Sequence, residues 1–240
     1  MATQNHAAAD IVTASDDYAA RFEGPSGRWM LSVQERGVRA LLPPGIPLTI
    51  LDVGGGHGQL AGPLARAGHA VTVCGSDPVC AGRIRADIDA GRLQFNPVDL
   101  LHLPYGDRAF QVVVSVRLLP HCDRWLELIA GLCRIAACRV IVDYPLDGGL
   151  NRVAPFLFTA KKKLEGNTRT WLNFTHAQVQ GAFAANGFRL VHRTGQFIIP
   201  MVLHRTLQVP LISRMLEAPH RWLGITGRWG SPVIAAFERE

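Results

Sequence analysis

The sequence has no hydrophobic run long enough to cross a membrane, no paired cysteine motif and only three lysines. A membrane span needs about 18 consecutive apolar residues, whereas the longest comparable run, residues 197–203, is interrupted by Pro200. The five cysteines form no C-x-x-C pair, and their odd number argues against a disulfide framework. We therefore expect reduced cysteines and no structural zinc site.

The beginning of the chain lacks both a basic segment and an apolar signal core, so residues 1–10 are predicted to be a frayed tail of a cytoplasmic protein. Acidic residues are scarce toward the other end. Residues 151–240 contain 12 basic and four acidic side chains and no aspartate, whereas residues 1–150 contain 13 basic and 15 acidic ones. This basic third indicates either a solvated surface or an anionic partner, such as an acidic acceptor or a membrane surface.

Apolar segments recur at the spacing of alternating strands and helices. With 240 residues, 48% of them hydrophobic, the chain is long enough for one well-filled α/β domain with additions. A long apolar helix is predicted over residues 123–137, and such alternation indicates a doubly wound, mostly parallel sheet. Seven strands are predicted at residues 48–53, 70–74, 93–98, 110–116, 139–142, 188–194 and 231–237.

The most informative motif is a glycine-rich turn that follows the first predicted strand, Asp52-Val-Gly-Gly-Gly-His-Gly58. Strand, glycine turn and helix in this order let a ligand approach bare backbone at a helix start. His57 is expected to contribute its backbone, with its ring facing solvent or contacting a carboxylate of the ligand. Residues 56–61 also fit the G-x-G-x-x-[G/A] dinucleotide fingerprint, with Asp77 near the distance of a ribose acid, so the turn alone leaves NAD open.

The spacing Asp-x-Gly-x-Gly-x-Gly resembles motif I of class I S-adenosylmethionine (SAM)-dependent methyltransferases. The resemblance extends over residues 48–145 in motif order, with acids after the second and third strands, and a dinucleotide enzyme would need neither Asp52 nor Asp99. It implies a Rossmann-like fold with SAM as cofactor. It also implies one domain over residues 1–240, made of a helical lid at about 11–47, a SAM-binding core at 48–145 and substrate-side elements at 146–240 with an insertion at about 200–230.

The resemblance assigns roles to individual residues. The glycine turn would hold the methionine part of SAM, Asp77 the ribose hydroxyls and Asp99 the adenine amino group, with Leu100 beside the adenine ring. In the lid, Tyr18 would cover SAM and Arg21 would lie near its carboxylate; simple helix packing is the alternative reading of both. The predicted cofactor-binding residues are Asp52, Gly54, Gly56, Gly58, Asp77, Asp99, Leu100, Tyr18 and Arg21.

Catalytic candidates follow the fourth and fifth strands. His121 is a candidate base beside the methyl group, or alternatively a histidine at a loop–helix junction. Asp143 and Tyr144 could face the acceptor, or could cap a helix and pack, respectively. Gln111 stands where many relatives have aspartate, and no Asn/Asp-Pro-Pro-Tyr/Phe motif follows the fourth strand, which argues against methylation of adenine N6 or glutamine. No spaced metal-ligand set is evident, so we expect no metal.

These features predict transfer of a methyl group to oxygen or carbon of a small or lipid-like acceptor. The alternatives are an RNA or protein methyltransferase, or a SAM-binding protein without catalysis. No aromatic series is interleaved with the basic residues, so we expect no nucleic-acid partner. Residues 200–230 mix apolar and basic side chains and could roof an acceptor pocket, lie on a membrane, or form a plain amphipathic helix on the sheet. A monomer or homodimer is expected.

Overall fold

The computed structural model describes residues 9–45, 47–147 and 171–240. Most of residues 1–10, and the predicted connections at residues 148–149 and 161–170 with the three lysines, lie outside the described residues. The strands are β1 Thr49–Val53, β2 Ala70–Gly75, β3 Leu93–Pro97, β4 Phe110–Ser115, β5 Ala136–Tyr144, β6 Phe188–Gly195 and β7 Val233–Arg239.

Ten α-helices lie in the described part of the chain. The first three precede the sheet, and the last three lie between β6 and β7, where an insertion was predicted. They are α1 Ala9–Ala14, α2 Asp16–Ala20, α3 Gly24–Ala40, α4 Ala61–Arg66, α5 Arg85–Asp89, α6 Trp125–Ile135, α7 His176–Ala184, α8 Met201–Leu207, α9 Pro210–Trp222 and α10 Ile225–Trp229.

One seven-stranded sheet has the order β3-β2-β1-β4-β5-β7-β6. The first five strands are parallel, and β7 runs antiparallel to both β5 and β6. The predicted mostly parallel, doubly wound sheet is confirmed. Because chain order reverses between β1 and β4, a crevice forms at the carboxyl ends of these strands.

Both faces of the sheet are buried, because successive side chains of a strand point to opposite sides. Leu51 and Val53 of β1 face the core under α6 and α7. Ile50 faces the core that includes Val38 of α3 and Leu64 of α4. Asp52 therefore lies between apolar neighbours at the end of β1, which places a carboxylate at the crevice.

The sequence predicted both the start and the end of α7 from the residues that flank it. The Thr175 hydroxyl accepts from the Gln178 N–H at 3.2 Å, and Gln178 Oε1 accepts from the Thr175 N–H at 2.8 Å. This reciprocal box starts α7 as predicted. The chain leaves the helix at Gly187, whose φ is 72°, and enters β6 at Phe188.

A third apolar cluster joins the helices before and after the sheet. Trp29, Met30 and Val33 of α3 pack with buried Phe197, and Met201 of α8 lies against them. This packing fixes the C-terminal helices on α3, at the side of the sheet that carries the N-terminal segment.

Candidate active site

The glycine turn after β1 packs too closely for side chains. Gly54 has a φ of 73° and its N–H donates to the Cys74 carbonyl at 2.9 Å, which joins the turn to β2. A Cβ on Gly55 would overlap the Asp52 carboxylate, and one on Gly56 would lie 2.6 Å from the Cys80 carbonyl oxygen. Glycine is therefore required here by the protein's own packing.

Asp52 is buried at the end of β1, with 2% of its surface exposed. Burial raises the pKa of its carboxyl group to about 7, and the positive charge of Arg117 opposes this shift. The protein thus holds a carboxylate that is costly to ionise until a positive group binds beside it.

Arg117, the second residue after β4, is held in an unusual conformation. Its φ is 63°, a left-handed value that is uncommon outside glycine. Its backbone N–H donates to Asp143 Oδ1 at 2.6 Å, and its guanidinium group donates to Gln59 Oε1. One guanidinium nitrogen, Nη1, is buried and has no hydrogen-bond partner among the described residues.

Aromatic rings of α2 and the following turn cover this guanidinium group. Its central carbon lies 5.1 Å from the centre of the Phe22 ring and 5.8 Å from that of Tyr18. Both rings also contact the His57 ring edge-on, at centre-to-centre distances of 5.8 and 5.9 Å. The predicted helical lid therefore lies on the glycine turn.

A small cavity opens between the glycine turn, the end of β4 and α1. The two ring nitrogens of His57 are buried beside it and have no hydrogen-bond partner in the described part of the chain. Burial, then the charges of Arg117 and Arg83, lower the pKa of His57 to about 3, so its ring is neutral at neutral pH. The lining residues are Thr13, Asp52, Gly54, Gly55, His57, Gln59, Leu60, Val116 and Arg117.

Of the two sequence interpretations of the His57 side chain, exposure to solvent was wrong, because the ring lies at the cavity. The ring is held there because Tyr18 and Phe22 close over it. Arg117 and Gln59 were not predicted as site residues. The available signal for Arg117 was its position directly beyond a predicted parallel strand, at the edge where such folds bind ligands.

Asp143 lies close to the cavity without lining it. It is buried, and Oδ1 accepts from the Arg117 N–H while Oδ2 accepts from Gln34 Nε2 at 2.8 Å. Burial raises the pKa of its carboxyl group to about 6, against the opposing effect of the Arg117 hydrogen bond. The carboxyl group thus fixes the loop after β4 and ties β5 to α3.

Tyr144 and His121 lie apart from the cavity. Tyr144 is fully buried in the core under α6 and α7, where its hydroxyl lies 3.0 Å from His176 Nδ1, and burial raises its pKa to about 12. His121 ends a short 3-10 turn after β4 and its ring contacts that of Trp171, with the centres 5.1 Å apart. The backbone N–H of Leu172 donates to the Pro120 carbonyl at 2.9 Å, which fixes Trp171 beside this turn.

The two other predicted acidic positions form local turns. Asp77 Oδ1 accepts from the Val79 N–H at 2.8 Å and so caps the 3-10 helix Pro78–Ile84. Asp99 is exposed; its carboxyl group accepts from the Leu101 N–H at 2.9 Å and pairs with His102 at 2.8 Å, contacts that lower its pKa. Leu100 beside it is buried in the core.

The carboxyl group seated at the end of β2 belongs to Asp10. Its two oxygens accept from the Ser76 hydroxyl and the Ser76 N–H, at 2.5 and 2.6 Å. One of them also lies 3.1 Å from the point that a Cβ on Gly75 would occupy. Asp10 was expected in a frayed tail, and that expectation was wrong: the residue is buried in α1, because the Ser76 donors compensate the burial of its carboxyl group.

Arg21 lies on the outer side of the lid. It is exposed at the end of α2, and its guanidinium carbon lies 5.4 Å from the centre of the buried Tyr18 ring. Of the two predicted lid residues, Tyr18 thus packs on His57 while Arg21 covers Tyr18.

Comparison with known proteins identifies this arrangement. The family model for a methyltransferase domain matches residues 50–137, which run from β1 into β5 and include the glycine turn and Arg117. These residues form a methyltransferase domain. Its cofactor is SAM, and the dinucleotide reading of residues 56–61 is set aside. No curated protein matches the sequence.

Solved structures share the fold of the methyltransferase domain and its flanking helices. A SAM-dependent methyltransferase from Thermotoga maritima has a TM-score of 0.67 at 14% identity, covering 98% of this chain and 99% of that one. Magnesium protoporphyrin IX methyltransferase from Synechocystis PCC 6803, solved with SAM, has a TM-score of 0.64 at 15% identity, covering 100% and 99%.

A geranyl diphosphate methyltransferase, solved with its diphosphate substrate and sinefungin, is also similar. Its TM-score is 0.63 at 16% identity, with coverage of 87% of this chain and 77% of that one. Identities this low show the class I methyltransferase fold, and the acceptor has to be argued from this chain's own residues.

Proposed function

We propose that this protein transfers a methyl group from SAM to oxygen or carbon of a small or lipid-like acceptor. The observation that supports this most directly is the cavity beside the glycine turn. It combines the buried carboxyl group of Asp52 with Arg117 Nη1 and the two His57 ring nitrogens, none of which has a hydrogen-bond partner among the described residues. These groups match the charged amino-acid end of SAM.

In this proposal each end group of the cofactor's methionine part has a partner. The α-carboxylate accepts from Arg117 Nη1 and from the neutral His57 ring, and the α-ammonium group lies beside Asp52. The ammonium charge then favours ionisation of Asp52, whose pKa of about 7 lies above its ordinary range because of burial. Gly54, Gly56 and Gly58 let the backbone approach the same part of the cofactor.

The ribose and adenine are proposed to lie along the ends of β2 and β3. Asp77 and Asp99 follow these strands, and each has an oxygen lone pair beyond its local hydrogen bonds with which to accept from a hydroxyl or amino group. Leu100 would pack beside the adenine ring. The Asp10 carboxyl group accepts from the Ser76 N–H directly after β2. The proposed ribose position therefore has a second carboxyl group beside it.

Helix α1 is proposed to open when the cofactor binds. Thr13 of α1 lines the cavity. The Asp10 carboxyl group accepts from Ser76 and so holds the start of α1 at the end of β2. A ligand as large as SAM displaces α1 at least in part, because the described residues leave only a small space beneath it. Tyr18 and Phe22, which cover His57 in this structure, would then also cover the bound methionine part.

The acceptor is proposed to lie beyond Arg117, next to the turn that carries His121. SAM supplies an activated methyl group, and the protein aligns the acceptor and removes its proton where needed. His121 is the proposed base and Trp171 the apolar wall beside it. Asp143 already accepts hydrogen bonds from the Arg117 N–H and from Gln34, and Tyr144 is fully buried. The proposed role of Asp143 and Tyr144 is therefore to position this loop.

The five cysteines are all free, and four of them are buried, which supports the proposed cytoplasmic location. Cell fractionation with an antibody to the native protein checks this location; recovery outside the cytoplasmic and membrane-associated fractions would contradict it.

Calorimetric titration with S-adenosylhomocysteine (SAH), with NADH as a parallel control, tests cofactor binding at this site. We expect SAH to bind and NADH not to bind. Asp52→Asn and Arg117→Gly should each weaken SAH binding at least about tenfold, since each removes a charge-assisted contact. Arg108→Gln is the matched control, because Arg108 is exposed and precedes the start of β4, whereas the cavity lies beyond the other end of that strand. Equal affinity in all variants would refute the assignment.

Radiolabelled SAM then tests turnover against hydrophobic phenols, quinones and anionic lipids. Label transferred to a hydroxyl oxygen or a carbon acid supports the proposal. Transfer to RNA or protein, with binding that weakens steeply as salt is raised, would favour the alternative class. SAH binding without turnover on any acceptor would favour a non-catalytic role.

A further inference from the structure

Helix α9 has the reverse of the usual orientation of a surface helix, because it buries polar residues and exposes apolar ones. Its buried residues are polar, Ser213 and Glu217, which are spaced four apart on one face. The opposite face carries Leu211 and Met215, each 66% exposed, and ends in Trp222, which is 87% exposed. A helix on a protein core normally buries the apolar face and exposes the polar one.

The inverted orientation is fixed by a buried hydrogen-bond network. The Glu217 carboxylate accepts from the backbone N–H groups of Ile198 and Ile199, at 3.0 and 2.9 Å, and pairs with His204 at 3.2 Å. Glu217 and His204 are both fully buried. Rotating α9 to bury its leucines would break all of these contacts, so the apolar face stays outward.

The exposed apolar side chains continue onto the neighbouring helices. We call this surface, contributed by α8, α9, α10 and their connections, the α8–α10 face. Many exposed large apolar groups on helices that contact one another indicate an interaction site. Its exposed apolar members are Leu203, Leu207, Val209, Leu211, Ile212, Met215, Leu216, Trp222, Leu223 and Trp229.

The exposed charged side chains of the same segment are all positive. Residues 200–230 contain four arginines and a single acid, Glu217, which is buried. Arg214, Arg221 and Arg228 are exposed, and Arg221 also donates to the Gln196 carbonyl at 2.8 Å. The α8–α10 face therefore presents positive groups among apolar ones, with no exposed acid within this segment.

We propose that the α8–α10 face docks on an anionic lipid bilayer. Apolar side chains with tryptophans at the edge enter the boundary between headgroups and acyl chains, and arginines bind the phosphates. A second copy of the chain fits less well, because its α8–α10 face would bring further arginines and no exposed acid from this segment to the contact. No helix in the described parts of the chain is long and apolar enough to cross a membrane, so the contact is peripheral.

The proposal stands on the helices after β6 and is independent of cofactor binding. It does bear on the acceptor, because docking through α8 and α9, which pack on α3, would hold the lid side of the methyltransferase domain near the lipid. An acceptor dissolved in the bilayer would then reach the site without crossing bulk water.

Sedimentation with large vesicles tests the docking directly. Full-length protein is mixed with vesicles of phosphatidylcholine alone or with added phosphatidylglycerol. We expect binding to the anionic vesicles that weakens as salt is raised, with a blue shift of tryptophan emission. The blue shift should diminish in Trp222→Ala. If the protein binds neither type of vesicle, the proposal is overturned.

Paired variants separate the apolar and charged contributions. The double variant Leu211→Ser/Met215→Ser should lower vesicle affinity at least about tenfold, because both side chains lose burial in the lipid. The double variant Arg214→Gln/Arg228→Gln should lower it by about 25-fold, about fivefold for each charge. Leu126→Ser and Arg108→Gln are controls at exposed positions elsewhere, and their vesicle affinity should not change.

The molar mass in solution distinguishes lipid from a second copy as the occupant. We expect the same molar mass by light scattering for the wild type and the Leu211→Ser/Met215→Ser variant. A wild-type dimer that this variant dissociates would assign the face to self-association and overturn the proposal. Thermal melts of all variants verify folding, and SAH titration of the same samples reports the cofactor site separately.

Discussion

Replacing Asp52 by asparagine should make the ligand-free protein more stable while it weakens cofactor binding. The carboxyl group is buried at the end of β1 and its pKa is raised to about 7. Folding therefore favours the protonated form. The folded state retains a proton that the unfolded chain releases near pH 4, so the contribution of Asp52 to stability falls as pH rises from about 4 to about 7.

The magnitude follows from the pKa difference. A shift of about three units corresponds to about 4 kcal/mol of unfolding free energy, lost by wild type above pH 7. Asparagine has nearly the same shape as the protonated side chain and does not ionise. At pH 8 we expect Asp52→Asn to exceed wild type by about 2–4 kcal/mol, which raises the melting temperature by roughly 5–12 °C.

Urea unfolding of wild type and Asp52→Asn at pH 5 and pH 8 measures this effect. The gap between the two proteins should widen at pH 8, and SAH affinity of wild type should rise over the same interval as Asp52 ionises. Asp99→Asn is the control: Asp99 is exposed and its pKa is lowered by His102, so its replacement should not stabilise the protein. Identical pH dependence of stability in wild type and Asp52→Asn would refute the reasoning.

Three further predictions concern the cavity and its surroundings. Arg117→Gly should lower SAH affinity with only a small fall in melting temperature, because glycine adopts the φ of 63° freely and keeps the N–H donated to Asp143, which offsets the lost contacts with Gln59, Tyr18 and Phe22; a large fall in melting temperature would point to a structural role. Asp10→Asn should speed SAH association in stopped-flow fluorescence, because a weaker acceptor holds Ser76 less firmly; slower association with lower affinity would instead show that Asp10 contacts the cofactor. His121→Ala should lower kcat with little change in SAH affinity, measured once an acceptor is found, and unchanged kcat would return His121 to packing against Trp171.

The sheet was predictable because its strands are short apolar runs separated by helical connections. All seven predicted strands occur within a few residues of their expected positions. The signal is strongest for the inner strands β1, β4 and β5, because burial on both faces leaves nearly continuous apolar runs. The glycine turn was recognised from residue type alone. Packing adds the physical reason, because Gly55 and Gly56 touch Asp52 and Cys80.

The cavity was less predictable, because its main groups come from distant parts of the chain. Arg117 is marked by its backbone conformation, and Asp10 by a contact 66 positions away with Ser76. The position of Arg117 directly beyond a predicted strand was the one local signal for it, and no local pattern marks Asp10. The inverted orientation of α9 also depends on distant contacts of Glu217, although the amphipathic character of the segment was visible in the sequence.

Arg117 joins three parts of the molecule that have different partners. Its backbone is bound to Asp143 of β5, its guanidinium group lines the cofactor cavity, and its outer surface is covered by Tyr18 and Phe22. A ligand that moves this arginine therefore changes the lid and the loop toward the acceptor together. Thermodynamic reciprocity then applies: whatever the cofactor adds to the affinity for acceptor, the acceptor adds equally to the affinity for cofactor. An acceptor analogue should accordingly tighten SAH binding by the same factor by which SAH tightens binding of the analogue.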